Sequence, residues 1–355
     1  MGQSKANMRN VAKAANVSPT TVWMVIHHKP GVSVETIERV TNAMELLDYH
    51  PETSTGGSST LSVGLLIEEG SIPAISDVFY GDVIRGFQSE AEKNSYQVVL
   101  STFNRKRQSV NRLKAGFVEA VKGYAVANDG DITSETLAQL KTPSVPVVLI
   151  ESYIDGEEFP CVLGDNLMAG YKIAHHLLNL GHQEIAVLRG PTKYSSLVDR
   201  LRGIVAALAE EHILVPPQWM PSPVSGHPHK GYLQMKEILH QEQLPTAVIA
   251  ISDKTAFGAM EALREAGLRI PEDIAVASID NTMESSFTRP PLTTVHIPKY
   301  EIGVLAMQKL HRLIQQEQSI PFKTVVYSEL IVRDSCGSSR EQQIPPRGMI
   351  GNSKT

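Results

Sequence analysis

Short apolar runs rich in β-branched residues alternate with longer amphipathic runs from residue 61 to residue 330. This alternation predicts parallel β-sheets covered by helices on both faces. The predicted strands lie at residues 62–67, 97–102, 123–127, 145–150, 185–189, 247–252 and 274–279. The predicted helices lie at residues 79–93, 108–117, 134–140, 167–180, 197–211, 230–240 and 253–266. The strands form two consecutive series, so the region predicts two doubly wound lobes.

The end of this region predicts further crossings between the lobes. Residues 293–297 and a helix at 299–315 are expected to complete the first lobe, and a strand at 325–331 to return to the second, which makes three crossings. The expected bounds are 61–161 and 296–324 for the first lobe, and 162–293 and 325–333 for the second. Residues 334–355 are rich in Ser, Arg, Gln, Pro and Gly, which predicts a disordered tail.

The composition excludes several classes of protein. Hydrophobic residues make up 42% of the 355 residues and charged residues 20%, which is ordinary for a globular chain and excludes a wholly disordered one. The two cysteines, Cys161 and Cys336, form no CxxC pair, so neither a disulfide scaffold nor a zinc site is expected. The sequence contains no signal-peptide core and no run of about 18 apolar residues, which predicts a cytoplasmic protein without a membrane segment.

The N-terminal segment predicts a separate three-helix module at residues 8–52. A first helix begins at Met8, and Ser18 and Pro19 are suited to be the N-cap and first residue of a second helix. Ser33 caps a third helix. The buried side of the third helix carries an apolar set at three- and four-residue spacing, namely Ile37, Val40, Ala43, Met44 and Leu47.

Charge is polarised along this module, although the whole chain has a net charge of −5. Residues 1–33 contain four basic residues and no acidic one, whereas residues 34–52 contain one basic and five acidic residues. The basic half is suited to face phosphate groups. Helix spacing alone is equally compatible with a helical cap or a dimerisation module.

The module is followed by a tether at residues 53–60. It reads Thr53-Ser-Thr-Gly-Gly-Ser-Ser-Thr60, a composition typical of a flexible linker and a domain boundary. Each glycine costs about 1 kcal/mol relative to alanine in a helix, so a helix is disfavoured here.

Three stretches of the module have a recognisable pattern: Asn10-Val-Ala-Lys-Ala-Ala-Asn-Val-Ser-Pro-Thr-Thr-Val22, Lys29-Pro-Gly-Val-Ser33 and Leu47-Asp-Tyr-His-Pro51. Together they resemble the headpiece of the lactose repressor and galactose repressor (LacI-type) family of transcriptional regulators. Further motifs resemble the effector domain of the same family: Leu178-Asn-Leu-Gly-His-Gln-Glu-Ile185, Asp253-Lys-Thr-Ala-Phe-Gly-Ala-Met260, Gly267-Leu-Arg-Ile-Pro-Glu-Asp-Ile274 and Pro291-Leu-Thr-Thr-Val295.

The resemblance extends over residues 8–333 and implies the whole architecture. This is an N-terminal three-helix helix-turn-helix headpiece followed by two doubly wound parallel-sheet α/β lobes of the periplasmic-binding-protein type. In the family the linker usually forms a hinge helix with a leucine that wedges into the minor groove. This chain departs from that pattern, because its linker has no arginine and no apolar wedge before Leu61.

The resemblance also implies that the second helix enters the major groove of operator DNA. The expected DNA-contacting residues are Arg9, Ser18, Pro19, Thr20, Thr21, Trp23, Met24 and Lys29. Thr20 and Thr21 are the first choice for base contacts. Trp23 stands where the family usually has serine, and Met24 replaces a common arginine or histidine. The indole is expected to contact bases or sugars, and the alternative is that it packs on the third helix.

In open α/β sheets, ligands bind at the carboxyl ends of strands, here in the cleft between two lobes. Asp253 and Asp280 each follow a predicted strand, Arg200 begins an Arg-x-x-Gly element, and the resemblance implies that their counterparts contact effector. The expected effector-binding residues are Phe79, Tyr80, Glu151, Asp165, Tyr194, Arg200, Asp253 and Asp280. As alternatives, Phe79 belongs to the core at its helix start and Asp253 caps its helix.

The type of effector is only weakly encoded. Glu151-Ser152 stands where the family often has Asp plus an aromatic, and Gly226-His227 lies where an aromatic is common, which disfavours a purine-stacking cage. A sugar or related polyol is therefore expected. No nucleotide-binding loop, GxSxG or HExxH motif is present, so the sequence predicts no enzyme, and the histidine spacing predicts no metal and no cofactor.

These observations predict a ligand-responsive transcriptional regulator, most simply a repressor. The resemblance implies a homodimer that binds a pseudo-palindromic operator and changes its operator affinity when effector binds between the lobes. The alternative is a cytosolic sugar-binding sensor whose headpiece is vestigial or binds DNA weakly.

Overall fold

A computed structural model describes residues 7–26, 31–47, 49, 61–68, 78–103, 121–127, 137, 145–223, 229–317 and 320–337. The chain forms two compact units, Met1–Ser59 and Thr60–Thr355. The predicted linker at 53–60 lies outside the described residues. So do the predicted helices at 108–117 and 134–140, apart from the buried Leu137 of the second.

The smaller unit contains the three predicted helices: α1 (Met8–Ala14), α2 (Pro19–Ile26) and α3 (Val34–Leu46). Asn7 caps α1, because its Oδ1 accepts the Arg9 N–H at 3.0 Å. The turn between α1 and α2 places Asn16 at φ 51°, in the left-handed region that asparagine tolerates well. Ser33 caps α3 by accepting the Thr36 N–H at 3.3 Å.

A small apolar core holds these helices together. It contains the buried residues Val11, Ala12, Ala15, Val22, Val40 and Ala43. Met44 and Leu47 of the predicted set pack against this core. Ile37 does not, since 41% of its surface is exposed. The prediction for Ile37 was wrong because Val40, Ala43 and Met44 alone define the core-facing stripe of this helix.

The first sheet of the larger unit is six-stranded and parallel, in the order β10-β5-β4-β3-β1-β2. Its strands are β1 (Leu61–Glu68), β2 (Tyr96–Phe103), β3 (Val121–Ala127), β4 (Val147–Ile150), β5 (Cys161–Gly164) and β10 (Lys323–Val326). Two helices pack together on it, α4 (Val78–Lys93) and α9 (Lys299–Ile314).

The second sheet is five-stranded, in the order β11-β9-β8-β7-β6. Its strands are β6 (Ile185–Leu188), β7 (Ala247–Ala250), β8 (Ala275–Asp280), β9 (Thr293–His296) and the antiparallel edge strand β11 (Glu329–Ile331). Its described helices are α5 (Asn166–Asn179), α6 (Ser195–Glu210), α7 (His229–Leu239) and α8 (Asp253–Glu265). None of the described helices is long and apolar enough to cross a membrane.

Three bounds of the lobes differ from the expected ones. The strand β5 belongs to the first sheet, although residues from 162 onward were expected in the second lobe. The strand β9 pairs with β8, so it completes the second sheet instead of the first. The predicted strand at 325–331 is two strands, because the chain leaves the first sheet after Val326 and enters the second at Glu329.

The second lobe also continues beyond residue 333. A short 3₁₀ turn, Asp334–Cys336, packs against the second sheet, and both Ser335 and Cys336 are buried. Ser335 Oγ donates to the Val276 carbonyl at 2.6 Å and accepts the Thr293 N–H at 2.8 Å. The start of the predicted disordered tail was therefore wrong for residues 334–337, and the rest of that tail, 338–355, lies outside the described residues.

Candidate functional site

The predicted DNA-binding helix α2 has one exposed face. Pro19 and Thr20 are exposed in its first turn, and Trp23 lies one turn further along with 42% of its surface exposed. Residues three and four positions apart share one face of a helix, so these side chains form one surface. Val22 is fully buried in the core of the unit, which fixes this face outward.

The helix start involves two of the predicted DNA contacts. Ser18 Oγ accepts the Thr21 N–H at 3.0 Å and lies 2.9 Å from Thr21 Oγ1, which is the arrangement of a serine N-cap. Both hydroxyls therefore have a structural role in addition to the predicted contact. Arg9 is exposed on α1, Met24 is half-buried, and Lys29 lies outside the described residues.

In the larger unit, the side chain of Arg200 is the centre of a buried polar network. Only 2% of the surface of this residue is exposed. Its Nη2 lies 2.8 Å from Asp280 Oδ1, its Nε donates to Asn166 Oδ1 at 2.8 Å, and its Nη1 donates to the Ile251 carbonyl at 3.0 Å. A buried guanidinium is tolerated only when its donors are paired in this way.

The network continues from Asn166 to the first sheet. Asn166 Nδ2 donates to Glu151 Oε2 at 3.2 Å, and Glu151 Oε1 accepts the Gly164 N–H at 2.5 Å. The pKa of the Glu151 carboxyl is raised, mainly by burial. The hydrogen bond from the Gly164 N–H and the charge of Arg200 lower it in part. We refer to Glu151, Asn166, Arg200 and Asp280 as the cleft cluster.

The cleft cluster spans the carboxyl ends of both sheets. Glu151 directly follows β4 of the first sheet, and Asp280 ends β8 of the second. Both acids have a positive φ, 54° for Glu151 and 134° for Asp280, a backbone strain that costs about 1–3 kcal/mol per residue and is found mainly at functional sites. Two strained, buried acids at the ligand-binding edge indicate a binding site at the junction of the lobes.

Close helix packing holds Arg200 in place. A Cβ on Gly170 of α5 would lie 1.9 Å from the Arg200 carbonyl, and a Cβ on Gly203 of α6 would lie 1.9 Å from the Leu167 carbonyl. Only glycine allows the two backbones to approach this closely. The Arg-x-x-Gly spacing seen in the sequence therefore has a physical reason, because Gly203 lets the helix that carries Arg200 pack closely against α5.

Asp253 has a structural role that the sequence did not predict. It is fully buried, its Oδ1 accepts the hydroxyls of Ser278 at 2.5 Å and Thr294 at 2.7 Å, and its Oδ2 accepts the Thr282 N–H at 2.7 Å. Burial and the nearby charge of Asp280 raise its pKa to about 6. The carboxylate that follows β7 turns inward to join β8, β9 and the loop after β8, and its contact with effector stays a prediction.

The structure gives contacts for three of the other predicted effector residues. Asp165 caps α5 by accepting the Met168 N–H at 3.1 Å. Tyr194 is half-buried at the start of α6, with Lys193 Nζ 4.6 Å from its ring centroid. Tyr80 is half-buried and packs against the main apolar core. The side chain of Phe79 lies outside the described ones.

Two residues of the site were not among the predicted contacts. Asn166 connects the lobes, yet an asparagine after a strand is an ordinary helix start by sequence. Lys230 of α7 is 2% exposed, and its pKa is lowered to about 8, mainly by burial. The charge of Asp280 opposes this shift and that of Arg200 adds to it. Its signal was available, because Lys230 lies in register with the buried Gln234 and Ile238 on the apolar face of the helix.

Comparisons with known proteins agree with this architecture. Residues 7–52 match the model described as bacterial regulatory proteins, lacI family, and residues 174–336 match a periplasmic binding protein-like domain. The HTH-type transcriptional repressor PurR of Histophilus somni (strain 129Pt) is 31% identical over 337 residues, which cover 93% of this chain and 98% of that protein.

Solved structures give the same picture. The transcriptional regulator CelR–cellobiose complex has a TM-score of 0.72 at 27% identity, covering 93% of this chain and 99% of that chain. The lac repressor dimer bound to operator and the anti-inducer ONPF has a TM-score of 0.67 at 26% identity, covering 94% of this chain and 99% of that one.

A helix-turn-helix headpiece followed by two α/β lobes with a buried polar site between them defines a DNA-binding transcriptional regulator. The predicted fold class is confirmed by both the sheet order and these matches. The chain belongs to the lacI family of bacterial regulatory proteins, as its headpiece motifs implied.

Proposed function

We propose that the chain is a transcriptional repressor whose affinity for operator DNA is set by a small molecule bound between its two lobes. The observation that carries this proposal is the cleft cluster, in which buried polar side chains join the carboxyl ends of both sheets. A ligand that makes different contacts with two arrangements of the lobes shifts the balance between them. The headpiece then binds DNA more or less tightly.

The effector in this proposal is a sugar or related polyol. Carboxylate and guanidinium groups bind hydroxyls through charge-assisted hydrogen bonds and amides through neutral ones, and the cleft cluster contains all three groups. Tyr80 and Tyr194, together with Asp165, are proposed to form the rim of the same cleft. The cellobiose in the complex of the similar regulator supports a saccharide.

The headpiece is proposed to place α2 in the major groove of the operator. Thr20 and Trp23 on its exposed face contact bases, and Arg9 contacts a backbone phosphate. The protein acts as a homodimer in the cytoplasm, with one headpiece for each half-site of a pseudo-palindrome. Two weak headpieces then bind as one tight module through their effective concentration. The proposal requires no catalytic step.

The test is a selection of bound sequences from a random duplex pool at physiological salt, using the full-length protein. A recovered palindrome is the expected result, and the double variant Thr20→Ala/Trp23→Ala should recover none. If the unchanged protein enriches no sequence while still binding a sugar, the chain is instead a cytosolic sugar sensor with a weak headpiece. That outcome would follow from the glycine-rich linker at residues 53–60.

A further inference from the structure

The buried cation Lys230 distinguishes this cleft chemically. Its Nζ is enclosed by protein and has no hydrogen-bond partner among the residues that the structure describes. The helix that carries it, α7, packs tightly on α8, since a Cβ on Gly231 would lie 1.9 Å from the Thr255 carbonyl. The backbone beside Lys230 therefore cannot shift easily to carry the ammonium into solvent.

The charge of the Lys230 ammonium is coupled to the cleft cluster. Among the described residues, Asp280 raises the pKa of Lys230 and Arg200 lowers it. Asp280 already forms an ion pair with Arg200 at 2.8 Å, which leaves the ammonium beside a neutralised pair. A buried ammonium without an acceptor is unfavourable, because it has lost its hydration and gained no counter-charge.

We propose that the effector carries an anionic oxygen group, either a carboxylate or a phosphate, and that Lys230 Nζ binds this group. The inference rests on the effector cleft of the proposed function and names its ligand class: an acidic sugar or a sugar phosphate. Lysine supplies a compact point charge suited to either group. Asp280 and Glu151 of the cleft cluster are then proposed to accept hydrogen bonds from the hydroxyls of the sugar.

The burial of Lys230 is consistent with binding and costly for folding. Residues at ligand sites are often unfavourable for stability, because their polar groups are satisfied only when ligand is bound. The proposal therefore makes two separate predictions, one for the protein without ligand and one for its response to anions. Neither depends on DNA.

The experiment uses three sugars, glucose, galactose and ribose, each as the neutral sugar, the aldonate and the sugar phosphate, with inorganic phosphate alone as a further probe. Affinities are measured by calorimetry and by thermal shift on the full-length protein without DNA. At least one acid should bind more tightly than its neutral parent. Lys230→Met should lower the affinity for that acid by about 30-fold or more, and Lys230→Arg should lower it by less.

Lys236→Met is the matched control, since Lys236 lies on the same helix and is partly exposed. Its Nζ lies 6.0 Å from the centroid of the Tyr232 ring. It should leave the affinity for the acid unchanged. Without ligand, Lys230→Met should melt at a higher temperature than the unchanged protein, because the unpaired buried charge has been removed. Lys236→Met should melt at the same temperature as the unchanged protein.

Three outcomes overturn the proposal. The first is that every neutral sugar binds as tightly as its acid, and the second is that Lys230→Met leaves the affinity for the acid unchanged. The third is that neither any acid nor inorganic phosphate binds or shifts the melting temperature. A lower melting temperature of Lys230→Met would also contradict it, because it would reveal a structural acceptor for the ammonium. Operator release is measured separately. An acid that binds through Lys230 but leaves DNA binding unchanged contradicts the proposed function alone, whereas a neutral sugar that releases DNA contradicts this inference alone.

Discussion

The guanidinium of Arg200 lies 2.8 Å from the carboxylate of Asp280, and both side chains are almost completely buried. The pair joins α6 to the end of β8, where the backbone of Asp280 is strained at φ 134°. Its position requires that each partner neutralise the other, because a single charge in this place is far less favourable than the pair. Removing one partner of the pair should therefore be costly for stability, and we expect it to change the proposed ligand site as well.

Arg200→Met is expected to lower the free energy of unfolding by about 3–5 kcal/mol, because it leaves the Asp280 carboxylate buried without its counter-charge. The double variant Arg200→Met/Asp280→Asn should recover much of this loss, since the remaining partner is neutral. Neither variant should respond to effector. Denaturant unfolding and ligand titration measure the two effects.

The outcome that would contradict this reasoning is a double variant no more stable than Arg200→Met. The sequence alone predicts that replacing Arg200 or Asp280 removes the ligand response and leaves folding intact. The observed burial changes that expectation, because an interior ion pair cannot lose one member without a cost in stability.

Asp253 is expected to make stability depend on pH. Its folded pKa of about 6 lies above the ordinary value of 3.8, so the folded state binds the proton more tightly than the unfolded chain. The free energy of unfolding should therefore fall as the pH rises from about 4 to about 6, by about 3 kcal/mol from this group. Asp253→Asn, which does not titrate, should lack this contribution.

The measurement is the difference in unfolding free energy between the unchanged protein and Asp253→Asn at several pH values. The variant does not titrate at this position, so its stability relative to the unchanged protein should rise by about 3 kcal/mol between about pH 4 and about pH 6. Asp273→Asn is the control. Hydrogen bonds from Arg269 lower the pKa of Asp273 to about 2, so the difference for Asp273→Asn should stay nearly constant above about pH 4 and shrink as the pH falls from about 4 to about 2. A constant difference for Asp253→Asn would contradict the buried titration.

The sequence predicted most elements of the fold because the alternation of apolar strands and amphipathic helices is a local property. It did not predict which sheet β9 joins. Strand pairing depends on contacts between residues distant in the chain, and a four-residue strand such as Thr-Thr-Val-His is compatible with either sheet. The strand β5 was not predicted, because four residues are too few to show a strand pattern.

The site was predicted in part. The position after a strand predicted that Glu151 and Asp280 lie at the carboxyl ends of the two sheets, and the structure places both there in one polar network, whereas their contact with effector stays a prediction. The same rule nominated Asp253, which turns inward, because sequence position does not specify the direction of a side chain. Lys230 was not predicted because lysine is common on exposed helix faces, although its spacing from Gln234 and Ile238 indicated a buried position.

Gly170→Ala is expected to weaken effector binding without touching the effector. The added Cβ would meet the Arg200 carbonyl at 1.9 Å, so α5 and α6 must separate and the guanidinium must move. Overpacking of this kind costs about 1–3 kcal/mol in stability. Val205→Ala on the exposed face of α6 is the control and should change neither property. Unchanged ligand affinity in Gly170→Ala would show that the cleft does not depend on this helix packing.

Trp23→Ala in the headpiece separates base recognition from phosphate binding. The indole is 42% exposed on the face of α2 shared with Thr20, so its removal should leave the circular dichroism and melting of the protein nearly unchanged. Specific binding to the selected operator should weaken by about 1–3 kcal/mol, with little change in binding to random duplex or in the salt dependence.

Arg9→Ala is the matched comparison, because Arg9 is exposed on α1 and is proposed to contact a phosphate. Loss of a phosphate contact should weaken specific and random duplex binding equally and reduce the slope of log affinity against log salt by about one. The two variants therefore differ in the ratio of specific to random binding, which only Trp23→Ala should lower. If Trp23→Ala weakens both duplexes equally, the indole makes a backbone contact and the sequence is read by Thr20 and Thr21. If it weakens neither, the indole packs within the headpiece, and the exposed face of α2 does not carry base recognition through this residue.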